Sequence, residues 1–349
     1  MKKQVRIKDV AEKAGVSTGT VDRVIHNRGK VAPQVKERVL AVIKELGFKR
    51  NYLASAIATK RNIHVAILFP DNKKDLYWKA TQDGLEKGSQ FVRPYGVVTE
   101  IVYFDLFKEQ SFLDGIEAIF KNPPQAIIFP PVFLEAGQHL LDLCEQKNIP
   151  TVIVNTNLPT GQRLSYIGQD SYQSGVLAAR LLNFGLNTGD TALILNLAKS
   201  SINALHLIDK EKGFRNYFEK ETDKDIKIIK EHIDDFDNKK RLSAFLKKMQ
   251  KKHPQLTGIF FTNSRAHFAV DCLDAATAKR IKIVGFDLIE PNLNYLKEGK
   301  IDFLINQNPM DQGYLSFMSL FNQFITKEPI PTTQSVSYTH LTLPTKRIA

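Results

Sequence analysis

The first fifty residues repeat apolar side chains at the spacing of short helices. The stripes predict helices over 7–14, 18–26 and 33–46. Gly15 supplies a tight turn after the first helix, and Ser17 is placed to cap the second, because a serine oxygen accepts from the free N–H groups of a first helical turn. The apolar positions are Val10, Ala11, Ala14, Val21, Val24, Ile25, Val35, Val39, Val42, Ile43 and Leu46. This pattern is typical of a helix-turn-helix head, with a generic three-helix bundle as the alternative.

After residue 62 the pattern changes to continuous apolar runs separated by amphipathic segments. The continuous run at 63–70 predicts a buried parallel strand, and further strands are predicted at 97–104, 126–129, 151–154, 166–168, 191–195, 226–229, 258–261 and 281–286. The amphipathic segments predict helices at 78–88, 112–120, 134–146, 175–182, 205–218, 242–249 and 314–325. Because the alternation occurs twice in tandem, we predict two doubly wound α/β lobes with parallel sheets, and a ligand cleft at the carboxyl ends of their strands.

Charge is concentrated at the beginning of the chain. Residues 1–61 hold 15 Lys and Arg against 5 Asp and Glu, while the net charge of all 349 residues is +12. A basic head on a nearly neutral body predicts a polyanionic partner for the head, with a basic solvated surface as the alternative.

Several protein classes are disfavoured by patterns that the chain lacks. No stretch approaches 18 uninterrupted apolar residues and no apolar run follows the basic first residues, so we expect a cytoplasmic protein with no membrane partner. Cys144 and Cys272 each lie alone in apolar sequence, which predicts buried free thiols and no metal site. No phosphate-binding glycine loop and no hydrolase or zinc-protease motif occurs, so we expect neither a cofactor nor an enzyme.

The segment 7–24 resembles the head of the LacI/GalR (lactose-repressor) family. It contains D-V-A-E-K-A-G-V-S followed by T-V-D-R-V, close to the family pattern D-V-A-x-x-A-G-V-S-x-x-T-V-S-R-V. Asp22, Gly19 and Ala32 depart from the pattern, which leaves the fold expectation intact and the operator sequence open. The resemblance implies a homodimer on double-stranded operator DNA. The DNA-binding residues that it implies are Ser17, Thr18, Gly19, Thr20, Asp22, Arg23, His26, Asn27 and Ile57.

Residues 51–60 resemble the hinge helix of the same family, and we assign 51–62 to a hinge. In the family this helix forms on DNA and places an aliphatic side chain in the minor groove, a role that falls to Ile57 here. The alternative is a plain linker in which Ile57 is a packing residue.

The body, over residues 63–334, resembles the type-1 periplasmic sugar-binding fold that serves as the sensor of that family. The motifs are Asp170 with Gly175, Thr262-Asn263, Val284-Gly285-Phe286-Asp287 and Ile305-Asn306-Gln307-Asn308-Pro309 followed by Gln312-Gly313. The resemblance implies a carbohydrate-like effector in the cleft between the lobes. The effector-binding candidates carried over are Asn263, Phe286, Asp287 and Gln307.

The chemistry of these candidates suits a sugar, because carboxylate and amide groups bind hydroxyls and an aromatic ring packs on C–H groups. Each polar candidate has a structural alternative. Asp287 can cap the following turn, Asn263 can close an Asx turn in its own loop, and Gln307 can be an ordinary polar residue at a strand end. Trp78 and Phe133 fit the cleft and the core equally, and Phe133 stands where ribose-type sites often carry Asp, which disfavours ribose.

These observations divide the chain into a helix-turn-helix head (1–50), the hinge, an effector-binding and dimerisation body (63–334) and a tail (335–349). The tail has no helical period and does not match the family pattern, so we interpret it as an anomalous segment, a non-native remnant or a segment that pairs poorly with the second lobe. The combination predicts an effector-controlled transcription regulator. A solute-binding protein without a regulatory role is the alternative, and the basic head argues against it.

Overall fold

The structure is a computed structural model, and it describes residues 5–25, 29–48, 52, 56, 62–71, 73, 75–199, 205–337 and 339–342. The chain divides into two compact units, Met1–Thr59 and Lys60–Ala349, which we call the head and the body. Three predicted DNA-binding residues, His26, Asn27 and Ile57, lie outside the described residues.

The described part of the head forms three helices where the apolar stripes predict them. They are α1 (Ile7–Ala14), α2 (Thr18–Ile25) and α3 (Pro33–Leu46). Gly15 adopts the left-handed conformation, with φ of 63°, and ends α1. The Ser17 hydroxyl oxygen accepts from the Thr20 N–H at 3.1 Å and so caps α2 as predicted. Val10 and Val21 are fully buried where the helices pack.

The body begins with a first lobe in which strands and helices alternate. Its elements are β1 (Ile63–Pro70), α4 (Leu76–Val92), β2 (Val97–Phe104), α5 (Glu109–Phe120), β3 (Ala126–Phe129), α6 (Leu134–Gln146), β4 (Thr151–Asn155) and β5 (Ser165–Gly168). β1, β2, β3 and α6 have the predicted bounds, and the other elements differ from prediction by a few residues at their ends.

The second lobe repeats the alternation. Its elements are α7 (Ser171–Asn183), β6 (Thr191–Leu197), α8 (Leu205–Lys220), β7 (Lys227–Ile233), α9 (Lys239–Lys252), β8 (Leu256–Phe261), α10 (Ala266–Val270), α11 (Ala275–Arg280), β9 (Lys282–Phe286), α12 (Glu290–Lys297) and β10 (Phe303–Asn306). The chain then returns through α13 (Pro309–Phe321), β11 (Thr333–Ser335) and β12 (Thr339–Leu341). The Asp170 carboxylate caps α7 by accepting from the Gln173 N–H at 3.0 Å.

Both lobes have the same strand order. In the described residues the first sheet runs β11-β5-β4-β3-β1-β2 and the second runs β12-β10-β9-β8-β6-β7. The neighbours β1 to β5, and likewise β6 to β10, pair in parallel, so each lobe gathers its carboxyl strand ends along one edge. Leu193 and Leu195 of β6 pack into one apolar cluster, whereas Ala192 and Ile194 pack into another on the opposite face. The fold is therefore doubly wound, as predicted.

One helix pair in each lobe crosses with its backbones nearly in contact. A Cβ on Gly84 of α4 would lie 2.0 Å from the Met310 carbonyl oxygen of α13. In the second lobe, a Cβ on Gly175 of α7 would lie 2.0 Å from the Lys210 carbonyl oxygen of α8. Since a larger residue would collide with backbone, each crossing requires glycine.

The structure adds elements that the sequence pattern does not predict: α10, α11, α12 and β10. Each is only four to eight residues long, too short to show a clear period. The last described residues also take part in the sheets. β11 pairs in parallel with β5, and β12 pairs antiparallel with β10, so the described start of the anomalous tail joins both lobes.

Across the described residues, every helix is too short or too polar to cross a membrane.

Candidate functional site

A cleft lies between the two lobes, at the carboxyl ends of their strands. The first lobe lines it with Asp75, Tyr77, Trp78, Leu106, Val132, Asn155 and Thr156. The second lobe lines it with Ala198, His206, Leu207, Lys210, Asn263, Ser264, Arg265, Asp287 and Gln307. Three of the four predicted ligand residues, Asn263, Asp287 and Gln307, thus line one cavity.

Strand ends bring these residues together. Asn263 follows β8, Asp287 follows β9 and Gln307 follows β10, and these three strands are neighbours in the second sheet. Asn155 stands at the matching place in the first lobe, at the end of β4. Asp287 and Asn155 are both left-handed, with φ of 66° and 70°. A short polar side chain tolerates this conformation better than a branched apolar one.

A buried polar network forms the floor of the cleft in the second lobe. The Gln307 amide Nε2 donates to both Asp287 carboxylate oxygens, at 3.1 and 2.9 Å. The Lys210 ammonium Nζ donates to the Thr262 carbonyl oxygen at 3.1 Å and to Gln307 Oε1 at 3.4 Å. The same Nζ lies 3.6 Å from the centre of the Phe286 ring.

Burial and mutual attraction decide the charges of this network. Burial raises the pKa of Asp287, and the neighbouring Lys210 ammonium opposes that shift. Burial lowers the pKa of Lys210, and the Asp287 carboxylate opposes it in turn. The pair is neutral as a whole whether its proton resides on nitrogen or on oxygen.

Gly175 explains how Lys210 reaches the floor. At Gly175, α7 lies against the backbone of Lys210. This contact fixes the turn of α8 that carries the lysine. Gly175 belongs to a family motif in the sequence. Lys210 lies in a charged stretch that has the pattern of an ordinary solvated helix face, so the sequence does not predict its role.

The structural alternatives for the predicted residues have different outcomes. Asn263 does close an Asx turn: its Oδ1 accepts from the Arg265 N–H at 3.2 Å, while its Nδ2 donates to the Leu197 carbonyl oxygen at 3.0 Å. Asp287 bonds Gln307 rather than capping the next helix, which Ile289 precedes. Phe286 is fully buried in the core of the second lobe, beneath Lys210, and does not line the cleft.

An ion pair joins the lobes across the mouth of the cleft. Asp75 Oδ2 of the first lobe lies 2.9 Å from Arg265 Nη2 of the second, and both side chains are 12% exposed. The Arg265 guanidinium also donates to the Leu197 carbonyl oxygen at 2.9 Å and stacks 4.6 Å from the Phe236 ring centre. The two residues are 190 positions apart in the chain, so no local sequence pattern predicts that they pair.

A second contact between the lobes involves a histidine. His206 Nδ1 lies 3.1 Å from Thr156 Oγ1. Burial, together with the positive charges of Lys210 and Arg265, lowers the pKa of His206 to about 3. The ring is therefore neutral near pH 7, and it can accept or donate one hydrogen bond in the cleft.

The wall of the first lobe carries an apolar patch. Trp78, Leu106 and Val132 are each 6% exposed and line the cavity. The Trp78 ring packs edge-on against Phe69 at 5.5 Å, which fixes its orientation. Phe133, in contrast, is fully buried among the rings of the core. Of the two aromatic residues left open by the sequence, Trp78 belongs to the cleft and Phe133 to the core.

In the head, the predicted DNA-binding residues that the structure describes share one surface. Ser17, Thr18, Gly19 and Arg23 are exposed, and Thr20 and Asp22 are partly so. They occupy the start and the outer face of α2, opposite the buried Val21 and Val24. Ser17 and Thr20 hydroxyls lie 3.0 Å apart, so this end of the helix is held in place.

The described residues contain no group of three or more His, Cys, Asp or Glu side chains that could hold a metal ion. The two cysteines, Cys144 and Cys272, are buried free thiols, as predicted.

Two family models match the chain. Residues 65–328 match the periplasmic binding protein domain, and residues 6–51 match the bacterial regulatory proteins of the lacI family. The chain is 26% identical to the sucrose operon repressor of Pediococcus pentosaceus, covering 81% of this chain and 82% of that protein. It is 27% identical to the ribose operon repressor of Halalkalibacterium halodurans, covering 93% and 92%.

Solved structures share the fold of the body. A glucose-galactose binding protein from Geobacillus stearothermophilus superposes with a TM-score of 0.69 at 20% identity, covering 81% of this chain and 98% of that one. A solute-binding protein from Burkholderia graminis, in complex with D-arabinose, gives a TM-score of 0.71 at 20% identity, covering 81% and 96%.

Proposed function

The chain belongs to the LacI family of bacterial regulatory proteins, with a body of the periplasmic binding protein family, and on that premise we propose that it is a transcription regulator controlled by a small carbohydrate. The observation that carries the proposal is the union, in one chain, of a basic three-helix head and a two-lobed cleft with a polar floor.

The cleft suits a carbohydrate on chemical grounds. Asp287, Gln307 and Asn263 supply acceptors and donors for hydroxyl groups, and we assign them to effector binding. Trp78 on the opposite wall offers an aromatic surface to the C–H groups of a sugar ring. Phe286 acts indirectly, by supporting Lys210.

The head suits double-stranded DNA. The exposed face of α2 has the size and polarity of an element that enters the major groove, and we assign Thr18, Gly19, Asp22 and Arg23 to contacts with operator DNA. Ser17 and Thr20 would position that end of the helix on the backbone. His26, Asn27 and Ile57 lie outside the described residues, and we propose them as DNA contacts from the sequence resemblance alone.

One such head makes few base contacts, so we expect a homodimer that places two α2 helices on a near-palindromic operator. We also expect a cytoplasmic protein without catalytic activity, in keeping with the repressors to which it is similar.

Two measurements on the full chain test this function. Selection from a random double-stranded DNA library should enrich one near-palindromic sequence, and a panel of sugars should contain a compound that raises the Tm of the protein and changes its affinity for that sequence. The variant Arg23→Ala is compared with Arg93→Ala in the body, which controls for a general loss of positive charge. A sugar ligand without sequence-selective DNA binding would instead support the solute-binding alternative.

A further inference from the structure

We propose that the effector is an uncharged, unphosphorylated sugar, held with an apolar ring face toward the first lobe and its hydroxyls toward the second. This inference rests on the proposed function, and it concerns which carbohydrates the same cleft accepts. It follows from the charges and the shape of the residues that line the cavity.

The positive charge of Arg265 is already matched. Its guanidinium pairs with the Asp75 carboxylate at 2.9 Å, donates to the Leu197 carbonyl oxygen and stacks on Phe236. Both charged side chains are only 12% exposed. An anionic ligand would therefore have to displace Asp75 to bind Arg265.

The positive charge of Lys210 is matched as well. Asp287 is its electrostatic partner, and Gln307 bonds both groups and holds them in one network. The pair stays neutral wherever its proton resides, and Lys210 is only 1% exposed. Its ammonium has three N–H donors, two of which bond Thr262 and Gln307, so the third can donate to a hydroxyl without any net charge in the ligand.

Among the described residues that line the cleft, two cations therefore face two carboxylates, and His206 is neutral. A sugar phosphate would bring a charge of about −1.5 to −2 at neutral pH. Burying that charge beside Asp75 or Asp287 is unfavourable, since no described lining cation is left to pair with it.

The two walls also differ in polarity. The first lobe combines the apolar Trp78, Leu106 and Val132 with a few polar groups, whereas the second lobe is lined mainly by polar side chains, among them Lys210, Asp287 and Gln307. A sugar ring has the same division, with C–H groups on its faces and hydroxyls at its edge. A neutral ring can satisfy both walls at once, which a phosphate group near Trp78 could not.

The test compares matched pairs by isothermal titration of the full chain: D-glucose, D-fructose, D-ribose and sucrose, each against its phosphate monoester. We expect a neutral member to bind at least about 100-fold more tightly than its phosphate. A phosphate that binds as tightly as its parent sugar, or more tightly, would overturn this inference and leave the proposed function intact. If no member of the panel binds while sequence-selective DNA binding persists, both this inference and the carbohydrate part of the proposed function are wrong.

Charge variants make the test specific to the cleft. Asp287→Asn leaves Lys210 unmatched, and we expect the ratio of phosphate affinity to neutral-sugar affinity to rise by about tenfold or more. Asp75→Asn should do the same by freeing Arg265, and it keeps a side chain that can cap α4. It therefore serves as a second variant should Asp287→Asn not fold. Asp114→Asn changes the same charge at an exposed position outside the cleft and should leave the ratio unchanged. An equal ratio in all of these variants would show that charge matching does not select the ligand.

Discussion

At the scale of single residues, the cleft floor depends on a lysine and an aspartate that are both removed from water. Each of the two, Lys210 and Asp287, is buried and each depends on the other for its charge balance. Removing one partner leaves the other as an unpaired buried charge that water cannot solvate, which typically destabilises a protein by about 3–5 kcal/mol. Substitutions at this floor therefore act on stability as well as on binding.

Asp287→Ala and Gln307→Ala should each weaken effector binding by about tenfold or more, because a lost hydrogen bond to a charged group is worth roughly 1.5–3 kcal/mol. Asp287→Ala should also lower the free energy of unfolding, since Lys210 remains. Operator affinity without effector should persist in both variants, because the head is a separate compact unit. Titration calorimetry and gel shift measure the two properties, and unchanged sugar affinity in both variants would refute the assignment.

His206 gives a prediction about pH. In the unfolded chain a histidine takes up a proton near pH 6.5, whereas burial holds the pKa of His206 at about 3 in the folded protein. Between these values the unfolded state binds more protons, so the free energy of unfolding should fall as pH is lowered below about 6.5, by at most about 1.4 kcal/mol per pH unit.

His206→Gln should flatten this part of the stability profile relative to the parent protein, because glutamine does not titrate. Urea unfolding between pH 4.5 and 7.5 measures it. The exposed His139→Gln is the matched control for the loss of one histidine. Profiles of equal slope in the His206 variant and the parent would show that the ring is protonated in the folded state.

At the scale of elements, α2 is a short helix with two different faces. Val21 and Val24 hold it in the core of the head, and Arg23 lies on the outer face with its guanidinium free to reach a base edge. Asp22 beside it is partly buried and has interactions of its own. Recognition of the DNA sequence by α2 should therefore depend most on Arg23.

Arg23→Ala should weaken binding to the selected operator by about 1–3 kcal/mol and leave affinity for random DNA nearly unchanged, since an arginine that pairs with guanine discriminates by that amount. Competition gel shifts with operator and random duplexes separate the two effects. Equal weakening on both duplexes would instead identify Arg23 as a phosphate contact.

The hinge, over residues 51–62, yields a prediction from sequence, because Ile57 lies outside the described residues. The predicted hinge helix, 51–60, has ten residues, too few for a stable isolated helix, so the ordering free energy would have to come from DNA and from the partner hinge. We expect Ile57→Ala to lower operator affinity by at least about tenfold and Ile57→Leu to be tolerated, with the effector site unaffected. Hydrogen exchange over 51–60, with and without operator, is the direct measurement. Strong protection without DNA would exclude folding on DNA.

The sequence predicts long elements better than short ones, and strand ends better than helix faces. The runs that become β1 and β3 give their bounds because buried parallel strands are apolar along nearly their whole length. The family resemblance supplies the three polar candidates, Asn263, Asp287 and Gln307, and in the structure each of them directly follows a strand. Lys210 and Arg265 could not be found in this way, because their roles depend on partners distant in the chain. The short helix α12 has too few residues for a period.

At the scale of the whole molecule, the body is two lobes whose described contacts across the cleft include an ion pair and a histidine–threonine hydrogen bond. The ion pair is the stronger of the two. It stabilises the arrangement in which the two lobes are in contact. An effector bound in the cleft can increase or decrease this stabilisation. Allosteric coupling free energies are typically about 1–3 kcal/mol, comparable with the strength of such a partly buried pair.

Arg265→Ala should therefore favour opening of the body. We expect a larger radius of gyration without effector and faster effector dissociation, by about tenfold. Asp75→Ala should behave in the same way, and the double variant should be about as impaired as either single variant, well short of the sum of the two, because both remove the same interaction. Small-angle X-ray scattering and stopped-flow kinetics measure these effects. Strictly additive losses would mean that the two residues act independently.

The two helix pairs that cross at glycine, α4 with α13 and α7 with α8, occupy corresponding places in lobes of the same strand order. The two lobes therefore repeat one architecture in tandem along the chain. At the end of the fourth strand of each lobe stands a left-handed residue, which is an amide in the first lobe, Asn155, and a carboxylate in the second, Asp287. Equivalent strand ends thus give the cleft two chemically different sides, so a substitution at one of them can change the ligand contacts on that side while the equivalent position in the other lobe stays as it is.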